Sequence, residues 1–254
     1  MRRLELDLEW RMTLLTVLLL PMLVALGFWQ LQRADEKREL AERYSQRAAQ
    51  APVSLAALRD ATSTPHERAF RRVYVSGHFV PEVVILLDNQ VRDGRYGQDV
   101  LALFEDRESE FTVLLNRGWV PADPARRSLP QLEVPTGEIA LLARVYVSPG
   151  EPYLLAEENF GEVTWPLLVQ SPSSGALRQA LQTRIDTPLF PQQLRLAADA
   201  EHGFRRDWPV VNVSPEKHQG YALQWFTMAA ALLVFFCLRS SNLAAVLRST
   251  RKDD

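Results

Sequence analysis

A chain of 254 residues has room for one substantial domain plus membrane segments. A formal net charge of -2 and a pI of about 6.1 exclude a strongly basic nucleic-acid surface. The single cysteine, Cys237, lies inside an apolar stretch, so the chain before it holds no disulfide, thiolate metal site or covalent haem attachment.

The first 11 residues form a short tail with Arg2, Arg3 and Arg11 interleaved with Glu5, Asp7 and Glu9. Met12 to Trp29 then runs without a charge (MTLLTVLLLPMLVALGFW), close to the length of roughly 20 residues that crosses a bilayer core. It is longer than a signal-peptide core and is followed by WQLQR rather than a small-x-small site, so it reads as a retained anchor over 12–30. Residues 31–51 predict a largely solvated helix, with Glu39 and Arg43 at i,i+4 and Pro52 as its stop.

From about residue 70 the period changes. RRVYVSGHFV, EVVILLDNQV, DVLALFED, FTVLLNRGWV and EIALLARVYVS are short runs rich in β-branched and aromatic residues. Asp93-Gly94, the acidic stretch Glu105 to Glu110 and the segment Pro121 to Pro135 provide turns. Ile139, Leu141, Ala143, Val145 and Val147 alternate strictly, as one buried sheet face demands. Five strands with short connections predict an antiparallel, barrel-like sheet. Gly175 to Arg184 predicts a helix, and Leu189 to Asp199 a late strand.

A second uncharged stretch, Tyr221 to Leu238, closes the chain, followed by a tail over 239–254 with Arg239, Arg248, Arg251 and Lys252. Trp29, Tyr221 and Trp225 suit a membrane interface. Basic residues on both tails place both termini in the cytoplasm and the α+β domain, residues 31–220, outside it. Without an Arg- and Ser-rich transit peptide, the expected location is a bacterial inner membrane.

No P-loop, Rossmann glycine fingerprint, HExxH or GxSxG appears, so no enzyme is expected. His66, His78 and His202 lack metal-ligand spacing and read as solvated or structural. Glu157-Glu158 reads as a solvated edge. One constellation stands apart: His218, Tyr221, Ala222 and Trp225 follow i, i+3, i+4, i+7 spacing and share a helix face where the second segment begins. A neutral imidazole among aromatic rings suits an axial haem ligand. The plainer reading of the same residues is a histidine in the headgroup layer beside an aromatic belt.

Four pieces of sequence resemble the Surfeit locus protein 1 family of cytochrome c oxidase assembly factors. Gly27-Phe28-Trp29-Gln30 with Arg33 and Lys37 is similar to GxWQxxRxxxK; Gly77-His78-Phe79 to a GxF strand; Asn116-Arg117-Gly118-Trp119-Val120-Pro121 to NRGWVP; and His218 with Tyr221, Ala222, Gln224, Trp225 and Phe226 to HxxYAxxWF. Lys217 stands where the family commonly has asparagine. The resemblance implies a non-enzymatic accessory factor in biogenesis of haem-copper cytochrome c oxidase, working on its catalytic subunit, with haem a synthase a second candidate partner. It also implies haem a as transient cargo, with His218 as axial ligand. Each motif has a structural reading too: the Arg117-Gly118-Trp119 segment as a strand bend with a packed tryptophan, Trp29 and Trp225 as anchors, Gln30 and Gln224 as an interhelical hydrogen bond. A membrane-anchored sensor or binding module without a haem role is the alternative, and a membrane enzyme acting on lipid or haem is a third reading that lacks a nucleophile–base pair or metal cluster.

Overall fold

The computed structural model describes residues 8–61, 64–148, 160, 163–208 and 213–242. The Glu157-Glu158 pair, residues 1–7 and the tail from 243 lie outside them. The chain forms two compact units: Met1–Arg43 with Pro209–Asp254, and Tyr44–Trp208.

The first unit pairs α1 (Trp10–Ala49), as far as Arg43, with α5 (Pro215–Arg239), and both helices are long and apolar enough to cross a membrane. The expected membrane anchor and solvated spacer are one continuous helix, because no proline or glycine interrupts the chain between Gly27 and Ala49. It stops short of Pro52, as the ring of a proline disfavours helical backbone just before it. Along α1, the buried residues Thr16, Leu23, Gly27 and Ala34 fall on one stripe; on α5 the buried residues are Ala222 and Ala229. Small side chains let two helix backbones approach closely. At Gly27 the approach is so tight that a Cβ would sit 2.5 Å from the Phe226 ring. Phe226 also meets Phe28 edge-to-face at 5.3 Å, and Arg239 reaches Glu9 at 4.0 Å toward the other end of the antiparallel pair.

The second unit is built on a seven-stranded mixed sheet: β1 (Val53–Ser54), β2 (Arg72–Arg92), β3 (Arg95–Asp106), β4 (Phe111–Pro121), β5 (Ile139–Tyr146), β6 (Leu167–Val169) and β7 (Gln193–Leu196). Three short helices join it: α2 (Leu55–Ala61), α3 (Pro65–Arg68) and α4 (Gly175–Gln182). Two expectations are corrected. The runs RRVYVSGHFV and EVVILLDNQV form one strand, β2, whose register shifts between Phe79 and Val84. Pro81 cannot donate to a ladder and Glu82 adopts φ 62°, so the break is absorbed as a bulge rather than a turn. The sheet is also not purely antiparallel, since β1–β2, β2–β6 and β4–β7 run parallel. Those partners arrive after non-hairpin connections, which leave strand direction free.

The first half of β2 pairs with β5 and the second with β3, so the pairing path β2-β3-β4-β7-β5 returns to β2. Gly77 has partners on both sides, and a Cβ there would run into the Glu105 carbonyl at 1.9 Å. One core cluster contains Val73, Val75, Phe104, Leu115, Val145 and Leu194 with Leu55 and Leu58 of α2; a second gathers Ile85, Leu101, Leu103 and Leu114 under Leu177 and Leu181 of α4. With both faces covered, Val100 through Phe104 are all buried and the run shows no alternation. Strand β5, covered on one face, alternates as expected: Leu141, Ala143 and Val145 are buried.

Candidate functional site

In the helix pair, His218 lies in the first turns of α5, and its Nδ1 is 2.7 Å from Gln30 Oε1 on α1. The contact follows from helix geometry. On α1, Gln30 follows Gly27 by three positions and precedes Ala34 by four, so it continues the buried stripe. On α5, His218 precedes the buried Ala222 by four. Facing the glutamine oxygen, Nδ1 is the donor, and in the neutral tautomer that makes this bond the lone pair lies on Nε2. Nε2 is buried and has no hydrogen-bond partner among the described residues. A histidine oriented through one nitrogen with the other left unprotonated is set up to ligate a metal.

Phe226 joins this site through Gly27 and Phe28. Tyr221 is 50% exposed and Trp29 48% exposed, with Trp225 half-buried. Arg33 stacks over the Trp29 ring at 5.7 Å and pairs with Glu36 at 2.7 Å. Gln224 is exposed, and Gln30 bonds to His218 instead of to it. Six residues beyond His218, Gln224 lies about 240° around the helix and off the shared stripe. The Gln30–His218 pair could have been found by extending both stripes to their polar ends.

The NRGWVP motif lies in the sheet unit and its polar groups are turned inward. Asn116 is buried, donating to Asp99 Oδ2 at 3.0 Å and accepting from the Gly118 N–H at 3.0 Å. Asp99 also pairs with Arg92 at 3.0 Å. Arg117 donates to the carbonyls of His202 (2.9 Å) and Glu133 (3.0 Å), between the rings of Phe79 and Phe204. Burial pushes its guanidinium down to about 10, which leaves it charged at neutral pH. Gly118 has φ 118°, and a Cβ there would meet the Arg205 carbonyl at 2.7 Å. The Trp119 indole donates to Gln90 O at 2.8 Å. These bonds bind β4 to β3, β2 and the segment 202–205. Arg117 alone of the four lines an open groove, of about 1270 Å³, shared with His78 and His202. His78 faces Glu105 at 3.3 Å. No group of three or more His, Cys, Asp or Glu side chains able to hold a metal ion occurs among the described residues.

Fold and site define a class: a mixed-sheet unit bracketed by two apolar helices, with one histidine held between those helices by a glutamine. The chain belongs to the SURF1 (Surfeit locus protein 1) family, whose model matches residues 17–230. A SURF1-like protein of Dictyostelium discoideum is 30% identical over 105 residues, which is 39% of this chain and 38% of that relative. The aligned segment thus spans well under half of the curated relative.

Proposed function

We propose that the protein is a two-pass membrane accessory factor in the assembly of cytochrome c oxidase, acting on the catalytic subunit and holding haem a in transit through His218. Family membership supports the assembly role. The observation that carries the haem reading is the Gln30–His218 hydrogen bond, with its orphaned, buried Nε2.

The residues present fit the group. Bound haem a would supply an iron centre able to accept the imidazole lone pair. Gln30, accepting from Nδ1–H, fixes the ring's orientation and selects the tautomer whose lone pair lies on Nε2. Phe28 and Phe226, edge-to-face across the two helices, and the half-buried Trp225 give this stretch of the pair an aromatic surface. Exposing the lone pair requires the two helices to part at this point. No side chain near His218 is asked to do covalent chemistry, and the role is one of binding and release.

The test is the visible spectrum of the detergent-purified protein co-expressed with the enzymes of haem a synthesis. We expect a haem a spectrum in the wild type, its loss in His218→Ala, and weaker retention in Gln30→Leu. Equal spectra in wild type and His218→Ala would remove His218 from the role. In a deletion strain, assembled oxidase should fall while its transcripts persist; a normal oxidase spectrum there would sink the assembly reading.

A further inference from the structure

In the sheet unit, three arginines share one register line across neighbouring strands. Arg72 of β2 is the Cα partner of Arg144 of β5, and Arg144 is the partner of Arg195 of β7. Cross-strand partners project from the same face. Here it is the face opposite the core, because the flanking Val73, Ala143, Val145, Leu194 and Leu196 are buried in the core cluster. Like charges directly opposed destabilise a sheet, so three aligned guanidiniums call for a compensating group.

The protein supplies rings and little negative charge. The Arg144 guanidinium lies 4.4 Å from the centroid of Tyr44; that of Arg195 lies 3.5 Å from Tyr146 and 4.8 Å from Trp208. Asp99, the buried carboxylate whose charge acts on Arg195, is already held by Arg92 and Asn116. The Nε atoms of Arg144 and Arg195 are buried without a hydrogen-bond partner among the described residues. Burial pushes both guanidiniums below their ordinary value.

The row lines a cavity of about 360 Å³, together with Tyr44, Trp208 and Arg206. Arg206 is committed to backbone, donating to the carbonyls of Ala197 and Ala200 at 2.6 Å each. Asp199 is the one acid in the lining, and it is exposed. We propose that this cavity binds a phosphate-bearing ligand, held by the Arg72–Arg144–Arg195 row. Guanidinium forks match phosphate oxygens in a bidentate manner. The volume lies at the low end of the range for small-molecule sites and exceeds what a bare phosphate fills. Tyr44 and Trp208 offer apolar walls to the rest of the molecule. The phosphate can come from a soluble ester or from the headgroup of an anionic phospholipid. The site involves none of the haem-site residues, so either reading can fail alone.

The experiment is the thermal midpoint of the full-length protein in a nonionic detergent. Inorganic phosphate is titrated against chloride at constant ionic strength. Parallel samples sit in nanodiscs of phosphatidylcholine alone or with phosphatidylglycerol. We expect a rise of several degrees in the wild type, lost in Arg144→Gln and kept in Arg107→Gln, whose side chain is exposed and paired with Glu138. Should Arg144→Gln fail to fold, Arg72→Gln gives the same reading. A rise with inorganic phosphate in phosphatidylcholine discs assigns a soluble ligand; a rise only with phosphatidylglycerol assigns the headgroup. Equal rises in wild type and the row variants, or no rise in the wild type with either probe, overturn the proposal.

Discussion

At Arg117 a full positive charge is enclosed by carbonyls and aromatic rings rather than by a carboxylate. Replacing it with methionine keeps much of the volume but leaves the carbonyls of His202 and Glu133 without their donor, a loss of about 1–3 kcal/mol. Because the folded value lies below the ordinary arginine value, the cost of burying the charge is present in full below about 10. It is relieved only as pH climbs from there toward the ordinary value. The stability difference between wild type and Arg117→Met should therefore be flat over about pH 6 to 9, as read from denaturant midpoints. A slope in that window would mean that the guanidinium titrates there. At this scale the sequence was half legible. Asn116, Arg117, Gly118 and Trp119 are visible as a motif, but the carbonyls of His202, Glu133 and Gln90 that occupy them are distant in the chain. Nothing in local spacing reveals a partner that only folding brings near.

For the helices, the stripe Thr16, Leu23, Gly27 and Ala34 settles how close the two can come. Gly27→Leu forces a side chain into the Phe226 ring and should cost about 1–3 kcal/mol through overpacking, measured as the denaturation midpoint in detergent. It should also weaken the His218 site, because Gln30 lies one turn further along. Gly175→Leu, at a position with open space, is the matched control and should change little. An unchanged midpoint in Gly27→Leu would show that the helices do not pack as described. Among the strands, β5 was readable because one face is buried, which imprints a period of two. Strand β3 lost its period because both faces are covered. The merging of two runs into β2 was hidden by Pro81, which reads locally as a breaker and here lies in a bulge.

Along the whole chain, two helices that each contain a long uncharged stretch flank a charged sheet unit, the pattern of a chain crossing a bilayer twice. Alkaline phosphatase fused after Ala51 should be active in bacteria, and the same enzyme fused after Asn242 inactive, if both termini are cytoplasmic. The reverse result would invert the topology. Apolar length and periodicity are local, one-dimensional properties. The sequence by itself therefore determined the two long helices, the strand-rich middle, the motifs and the singling out of His218. Pairing is a three-dimensional property: strand direction, the return of the path to β2, and the choice of His218 over Gln224 as the partner of Gln30 depend on which surfaces meet. The alignment of Arg72, Arg144 and Arg195 is of the same kind, since residues this far apart in the chain become neighbours only through the registers of three strands. Tertiary structure alone decided these, because each free energy resides in a contact between segments that carry no local record of one another.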